Sequence, residues 1–486
     1  MIANPSTPLR TSLKPYPGVK DSGVSWLGKV PEHWEIRKLR HLLRRQTDRN
    51  RPDLPLLSVV REKGVILRDI TSADENHNFI PDDLSNYKVV RVGQFAMNKM
   101  KAWQGSYGVS RHDGIVSPAY FVFNLAGLAG DFFHSVIRSS VYVPAFTRAS
   151  DGVRIGQWDL AESRMREIQF AVPPLSEQAA IVRFLDHYDR KIRRYIRAKQ
   201  KLIKLLEEEK QAIIHRAVTR GLDPNVRLKP SGVEWLGDIP EHWEVVTLRH
   251  RYSQCLGKML DSKRITGSHS LPYLRNIDVQ WDRIKIDNLP TMDIPQTEYD
   301  RYTLQKGDLL VCEGGEVGRS AIWSGELAVC GFQKALHRLR PRNPDRDVAR
   351  FMYYSLRTAA KGNAFNDGHL STIAHLTGDK LRAHRFPFPP VTEQEDLVNF
   401  LDSVLKQADQ TISTTQHEIS LLREYHTRLI ADVVTGKLDV REASTHLPAK
   451  PEDPEQLEEI EDLVEGEEET EEDDMTLPTE EASIAE

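Results

Sequence analysis

Apolar residues recur at spacings of three, four and seven along two long stretches of the chain. In the first, Ile181, Leu185, Tyr188, Ile192, Tyr195, Leu202, Leu206, Ile213 and Ala217 fall on one frame. In the second, the frame is carried by Leu397, Leu401, Val404, Ala408, Leu422, Leu429 and Val433. Neither stretch contains a proline, and Ser176 and Thr392 are placed as N-caps ahead of an acidic first turn. Lys199, Thr411 and Thr415 put polar groups into the seams, but sustained 4-3 spacing still predicts a coiled coil over a helix lying on a globular face. A helix of about 43 residues is ~65 Å long at ~1.5 Å per residue. Two such helices can cover their seams by pairing with each other. Antiparallel pairing would put the flanking bodies at opposite ends, related by an approximate twofold.

The bodies before each helix, 23–172 and 232–388, carry short β-rich runs such as Ala119-Tyr-Phe-Val-Phe123 and Asp308-Leu-Leu-Val-Cys312, separated by Gly, Pro and Asn breaks. A helical pattern appears in each, near 129–141 and 347–361. Mixed α and β structure is expected for both.

An internal repeat organises these elements. Gly23-Val-Ser-Trp-Leu-Gly-Lys-Val-Pro-Glu-His-Trp-Glu35 returns as Gly232-Val-Glu-Trp-Leu-Gly-Asp-Ile-Pro-Glu-His-Trp-Glu244, an offset of 209. Leu39-Arg-His41 returns in the same register as Leu248-Arg-His250. Pro173-Pro-Leu-Ser-Glu-Gln178 returns as Pro389-Pro-Val-Thr-Glu-Gln394 at an offset of 216, followed by Phe184-Leu-Asp186 against Phe400-Leu-Asp402 and by Thr219 against Thr435. The chain is two copies of one module in the order body, helix, body, helix. The helices and opening motifs are alike while the bodies have diverged, which suits two readers of different targets on one frame.

At 486 residues the chain has room for roughly three structural units at about 150 each. No run approaches the ~20 apolar residues of a membrane span, and the start lacks a signal-peptide pattern. Cys255, Cys312 and Cys330 are too few and too irregular for a disulfide framework or a zinc site, so a reducing cytoplasm fits. The net charge of −5 conceals two opposite parts. Residues 451–486 hold 18 Asp or Glu and no Lys or Arg, whereas 1–450 hold 66 basic against 53 acidic residues, a net of +13. A basic body suits a polyanion, whose condensed counterions Lys and Arg displace. The acidic tail is expected to be disordered, either as a solubilising segment or as a polyanion competing with DNA for the basic body.

Catalytic signatures are absent. Glu313-Gly-Gly-Glu-Val-Gly-Arg-Ser320 lacks the first glycine of a phosphate loop and has Arg in place of its lysine. There is no dinucleotide fingerprint, no His-Glu-x-x-His, no Asn-Pro-Pro-aromatic motif for a flipped adenine and no glycine-rich methyl-donor site. His33 and His242 occupy equivalent repeat positions beside Trp34 and Trp243, which favours packed structure over a catalytic base. No metal site is expected.

Recognition chemistry is better represented. Asn98-Lys-Met-Lys-Ala-Trp-Gln-Gly-Ser-Tyr-Gly108 sets Lys99, Lys101, Trp103, Gln104, Ser106 and Tyr107 between glycines, as a loop reading base edges and phosphates would. The corresponding region of the second body is 312–320, where Glu313 and Glu316 replace lysines beside Arg319. Carboxylates accept from cytosine amino groups, so the bodies would read different sequences. Arg275 and Asn276, and His369 and Ser371 before the second helix, are further candidates, each alternatively an ordinary surface turn. The helices also differ in charge: 190–204 carries eight basic residues and no acidic one, while 406–420 carries one Lys against Asp409 and Glu418. The first is a solvated face, a DNA-backbone contact or a docking surface.

Taken together, over roughly 13–440, the repeated opening motif, the two Pro-Pro-x-x-Glu-Gln helix starts, Leu271-Pro-Tyr-Leu-Arg-Asn-Ile277 and Lys306-Gly-Asp-Leu-Leu310 resemble specificity subunits of type I restriction–modification systems. The resemblance implies a mixed α/β (α+β) fold with two target recognition domains joined by two long helices in an antiparallel coiled coil, a pseudo-twofold internal repeat. The implied boundaries are an N-terminal arm at 1–22, recognition domains at 23–175 and 221–391, helices at 176–220 and 392–436, and the acidic tail at 437–486. It further implies a non-catalytic chain that binds an asymmetric, bipartite double-stranded DNA site, with the coiled coil as ruler. Two methyltransferase subunits and the restriction (translocase and nuclease) subunits would dock on it. S-adenosylmethionine, ATP and Mg would belong to those partners, with no cofactor in this chain. The region 98–108 departs from the second body, and the acidic tail is outside the family pattern. Other readings are an autonomous two-domain DNA-binding regulator, or the specificity chain of a related enzyme that cuts on both sides of its site.

Overall fold

The computed structural model describes residues 13–448 apart from 62, 69–80, 82, 153–157, 261–266, 363 and 366–374. The acidic segment 451–486, His369 and Ser371 thus lie outside the described residues. The chain divides into two compact units, one of Met1–Arg197 with Ile419–Glu486 and one of Ala198–Glu418.

In the first unit the strands Leu43–Gln46, Phe121–Leu125, Phe95–Met97 and Tyr107–Val109 are neighbours, in that order, in an antiparallel sheet. Successive side chains of a strand point to opposite faces. Phe95, Met97 and Phe123 enter the main core with Phe132, Phe133 and Phe146, while Ala96 and Val122 join Leu57, Val59, Val65, Val90 and Val116 on the other face. Covering both faces explains why the run ending at Phe123 is continuously apolar and does not alternate. Helices Gly130–Ile137 and Val143–Ala149 wall the main core, with the Phe133 ring edge-on to Phe95 at 5.1 Å. Glu35–Lys38 pairs with Gln169–Val172, which returns the end of the body to its opening motif.

The second unit repeats this plan with different inserts. Tyr252–Leu256, Leu336–Pro341, Leu309–Cys312 and Ser320–Ile322 form the sheet in the same order. Leu309, Val311 and Leu339 pack in the core that holds Phe351, Met352 and Leu356 of the helix Ala349–Lys361; Leu310, Cys312 and Leu336 pack with Trp323 and Phe332. Glu244–Thr247 pairs with Arg385–Phe388. Where the first unit has the hairpin Leu57–Val60 with Gly64–Leu67, the second pairs Ser270–Leu274 with Thr291–Asp293 and, in parallel, with Gly331–Phe332.

The two long helices are Leu175–Arg220 and Val391–Val434. In the first unit Ile181, Phe184, Leu185 and Ile192 share a core with Leu429, Val433 and Val434, and His426 lies 2.9 Å from Asp189. In the second, Ile214, Ala217 and Val218 share a core with Leu397, Leu401 and Leu405. There Lys199 pairs with Glu418 at 2.5 Å and Lys210 with Asp409, so numbers rise on one helix as they fall on the other. The pairing is antiparallel, as the resemblance implies.

The caps differ from expectation. Ser176 and Thr392 are the second residues of their helices, and the first intrahelical bonds run from Gln178 N–H to the Pro174 carbonyl at 2.9 Å and from Gln394 N–H to the Pro390 carbonyl at 3.0 Å. The second proline of each pair is the N-cap: it has no side-chain acceptor, and the Ser and Thr hydroxyls lie too far along the first turn to serve.

Candidate nucleic-acid interface

The recognition loops hang from a frame built by the two repeated motifs. Glu177 accepts from Trp34 Nε1 at 2.8 Å and from the Tyr16 hydroxyl, and its other oxygen lies 2.7 Å from His33 Nε2. Gln178 accepts the Ala129 N–H at 2.8 Å and donates to the Pro173 carbonyl at 2.9 Å. The second copy keeps the histidine and glutamine contacts: His242 meets Glu393 at 2.8 Å, and Gln394 accepts from Val348 N–H at 2.9 Å and donates to the Pro389 carbonyl at 2.9 Å. Ala129 and Val348 are the N-caps of the helices starting at Gly130 and Ala349. Each Glu-Gln pair therefore ties a long helix to its body's opening motif and to the first orphan amides of its body helix. The Trp faces a glycine across this junction: a Cβ on Gly436 would fall 3.3 Å from the Trp34 ring and one on Gly221 would fall 3.4 Å from Trp243, with φ of +69° and +73° at the two positions. His33 and His242 are frame residues, as their repeated placement suggests.

The sheets make the loops comparable. The segment 98–106 joins Phe95–Met97 to Tyr107–Val109, and 313–319 joins Leu309–Cys312 to Ser320–Ile322, the same two strands in each unit. In the first loop Lys101 is exposed, Lys99 pairs with Asp159 at 2.7 Å and Gln104 is half-buried. The Trp103 ring lies 5.4 Å from Trp158, and its carbonyl accepts from Thr147 Oγ1 at 2.8 Å. Ser106 and Tyr107 correct the expectation. Ser106 is 2% exposed, and Tyr107 is fully buried, its ring 4.5 Å from Phe146 and its hydroxyl donating to the Ile137 carbonyl at 3.2 Å. Both belong to the strand start and its core and do not reach a base edge.

In the second unit Asn276 and Arg319 are joined, and the other candidates have partners of their own. Arg319 Nη2 donates to the Asn276 carbonyl at 3.0 Å and to its side-chain oxygen at 3.3 Å, and Asn276 Nδ2 donates to the Gly314 carbonyl at 2.8 Å. Arg275 pairs with Asp278 at 2.9 Å. Glu316 accepts from Trp281 Nε1 at 2.7 Å and pairs with Lys361 at 2.8 Å. Burial pushes the Glu316 carboxyl up, but those two donors outweigh it and hold it below its ordinary value. Glu313 is half-buried, its backbone bonded to Ala335 and Leu376. The sequence grouped Arg275–Asn276 and 312–320 as separate loops; the structure brings them together. Asp159, Trp158, Trp281 and Lys361 were not legible as their partners, because none lies near them in sequence.

Among the described residues no cluster of His, Cys, Asp and Glu could hold a metal, and no described helix is long and apolar enough to cross a membrane.

Two unlike polar loops on equivalent strands, each on a frame closed by paired long helices, define a two-module recognition architecture. Residues 240–421 match the family model described as type I restriction modification DNA specificity domain. A putative type I restriction enzyme MjaX specificity subunit from Methanocaldococcus jannaschii is 19% identical over 434 residues, spanning 85% of this chain and 96% of that protein. The type I restriction enzyme EcoKI specificity subunit of Escherichia coli is 20% identical over 342 residues, 67% of this chain and 68% of its own length. A solved chain described under complex assembly and conformational transition of the type I R-M system has the same fold, with a TM-score of 0.66, 17% identity and coverage of 84% of this chain and 99% of that one. Over most of its length the chain is thus similar to type I restriction enzyme specificity subunits, and the match to the DNA specificity domain lies within 240–421.

Proposed function

We propose that this chain reads an asymmetric, bipartite double-stranded DNA site, one half-site per body, and directs adenine methylation or restriction carried out by separate subunits. The observation that carries this reading is the contrast between equivalent loops: Lys99 and Lys101 in one, Glu313 and Glu316 in the other. Donors on Lys suit guanine O6 and N7, and carboxylates suit the cytosine amino group, so one frame would present two different codes. Lys101 is the most available reader of the first loop. In the second, Arg275, Asn276 and Arg319 form the pre-ordered group and Glu316 is the carboxylate aimed by its neighbours. His369 and Ser371 complete the candidate set from outside the described residues.

Two modification subunits and the restriction subunits are the proposed partners, and they would carry S-adenosylmethionine, ATP and Mg. The cytoplasm is the proposed location. The paired helices would set the unread gap between half-sites. The test is a methylation map of native DNA from cells carrying the modification partner with and without this chain. A split, adenine-methylated motif that appears only with the chain is expected. A map that does not depend on the chain would overturn the proposal.

A further inference from the structure

The last described residues sit on the first long helix. Arg183 donates through Nη2 to the Leu447 carbonyl and, at 3.3 Å, to the Pro448 carbonyl. This fixes the position of Leu447 and Pro448, the residues that precede 449–486 in the chain. Arg183 also heads a row along the helix. Arg190, Arg194 and Arg197 follow it at steps of seven, four and three, which puts all four on one face. The seam residues Ile181, Leu185 and Ile192 lie on the opposite face. Among the described residues Arg190, Arg194 and Arg197 make no ion pair; Arg190 and Arg197 each donate only to a backbone carbonyl one turn back, of Asp186 and Arg193. Arg193, just off this row, is already neutralised by Asp189 at 2.9 Å.

The segment that leaves beside this row is its chemical complement. Between Glu452 and Asp474 there are 15 acidic residues and no basic one. We infer that the acidic segment 452–474 docks along the arginine row at 183, 190, 194 and 197, as a tethered polyanion that screens this face. Reach is not limiting. The row from 183 to 197 is ~21 Å long at ~1.5 Å per residue, and an extended chain covers ~3.3 Å per residue, so the first acidic residues arrive within a few positions of Pro448. A single exposed ion pair contributes little. Four guanidinium groups facing 15 carboxylates on a tether is a different case, because attachment keeps the carboxylates at an effective concentration in the millimolar range. A free polyanion would have to displace them.

The inference stands apart from which bases are read, and its test needs no DNA. In the full chain, Arg190→Lys, Arg194→Lys and Arg197→Lys keep the charges and supply amines that a water-soluble carbodiimide can join to carboxylates. Peptide mapping at low salt is expected to find residues 452–474 joined to positions 190, 194 and 197 at least about fivefold more often than to Lys14 and Lys437 of the same unit, with the preference lost near 0.5 M salt as screening shortens to a few ångströms. No preference over Lys14 and Lys437, or a preference unchanged by salt, would overturn it. A second readout uses Arg190→Glu with Arg194→Glu and Arg197→Glu. Cleavage of the segment by a glutamate-specific protease should accelerate about fivefold or more at low salt, with the free peptide 449–486 as control for the protease. Equal rates in the parent and charge-reversed chains would assign the row to an external polyanion and overturn the docking.

Discussion

Leu42 and Arg251 occupy the same place in the repeated frame, three residues after Leu39 and Leu248, and the two units solve it in opposite ways. Leu42 is fully buried in an apolar core against which Leu128 packs. Arg251 is also buried, at 7% exposure, and pairs with Asp347, at 2%, through Nη2 and Oδ1 at 2.5 Å, with its guanidinium 4.4 Å from the Phe388 ring. Leu128 and Asp347 are themselves equivalent: each precedes the residue whose amide reaches Gln178 or Gln394. One backbone therefore accepts either an apolar pair or a complete ion pair. A buried ion pair adds little over its apolar counterpart, because desolvation offsets the attraction, whereas half of a pair is costly.

That comparison is broken most severely by Asp347→Ala, which leaves the buried Arg251 guanidinium only the more exposed Glu244 at 3.1 Å and the Arg346 carbonyl at 3.4 Å, and should cost about 3 kcal/mol in urea unfolding. Arg251→Leu combined with Asp347→Leu should return stability to within about 1 kcal/mol of the parent or raise it. A double variant as weak as the single one would mean the frame of the second unit requires charge.

Next in size is the contrast between Glu177 and Glu393. The Glu177 side chain is 4% exposed and holds Tyr16, His33 and Trp34, while Glu393 is 29% exposed and holds His242, with the buried Trp243 Nε1 lacking a partner among the described residues. Asn225 stands where the repeat would place Tyr16. Glu177→Ala leaves buried donors unmet and should cost about 2–4 kcal/mol, against about 1 kcal/mol or less for Glu393→Ala. Hydrogen exchange resolved by unit would separate the two, and equal losses would remove the distinction.

A third contrast is in acid. Burial, then Arg138 and Arg111, lowers His134 to about 4; burial alone lowers His384 to about 4. The folded values lie below the ordinary 6.5, so between pH 6.5 and 4 the unfolded chain binds more protons and stability falls as pH drops. The slope is about 1.4 kcal/mol per pH unit for each histidine. His384, set among Trp235, Phe365 and Phe386, tolerates an apolar ring, so His384→Phe should remove its share of the slope and keep stability at pH 7. His134 accepts the Val109 N–H at 3.1 Å, and His134→Leu should lower stability at pH 7 as well. An acid slope unchanged by His384→Phe would sink the assignment.

The smallest effect sharpens the loop contrast. Lys101→Ala should lower the salt dependence of DNA binding by about 0.9 in the log–log slope. Lys99→Ala should do less, because Lys99 already neutralises Asp159. Slopes unchanged from the parent in both variants would place neither lysine on phosphate.

What the sequence made legible was periodic or repeated. The 4-3 spacing gave the long helices and their pairing, and 98–108 was legible as the counterpart of 312–320. The remainder was non-local. Nothing near Glu177 indicates that its partners are His33 and Trp34, more than 140 residues earlier, although the joint recurrence of Pro-Glu-His-Trp and Glu-Gln was the available signal. Ser106 and Tyr107 failed for a related reason. Glycines at 105 and 108 looked like one open loop, yet Gly105, with φ of +97°, ends the turn and the buried strand begins at Tyr107. Ser176 failed as a cap because the proline pair starts the helix earlier than a hydroxyl would.

The first unit is discontinuous: its core needs Leu429, Val433, Val434 and Val440 as well as residues from the start of the chain. The second unit is one uninterrupted segment, 198–418. On the ribosome the order of completion is therefore inverted. The body translated first waits, with its seam uncovered, for the last part of the chain, and the body translated second can close before it.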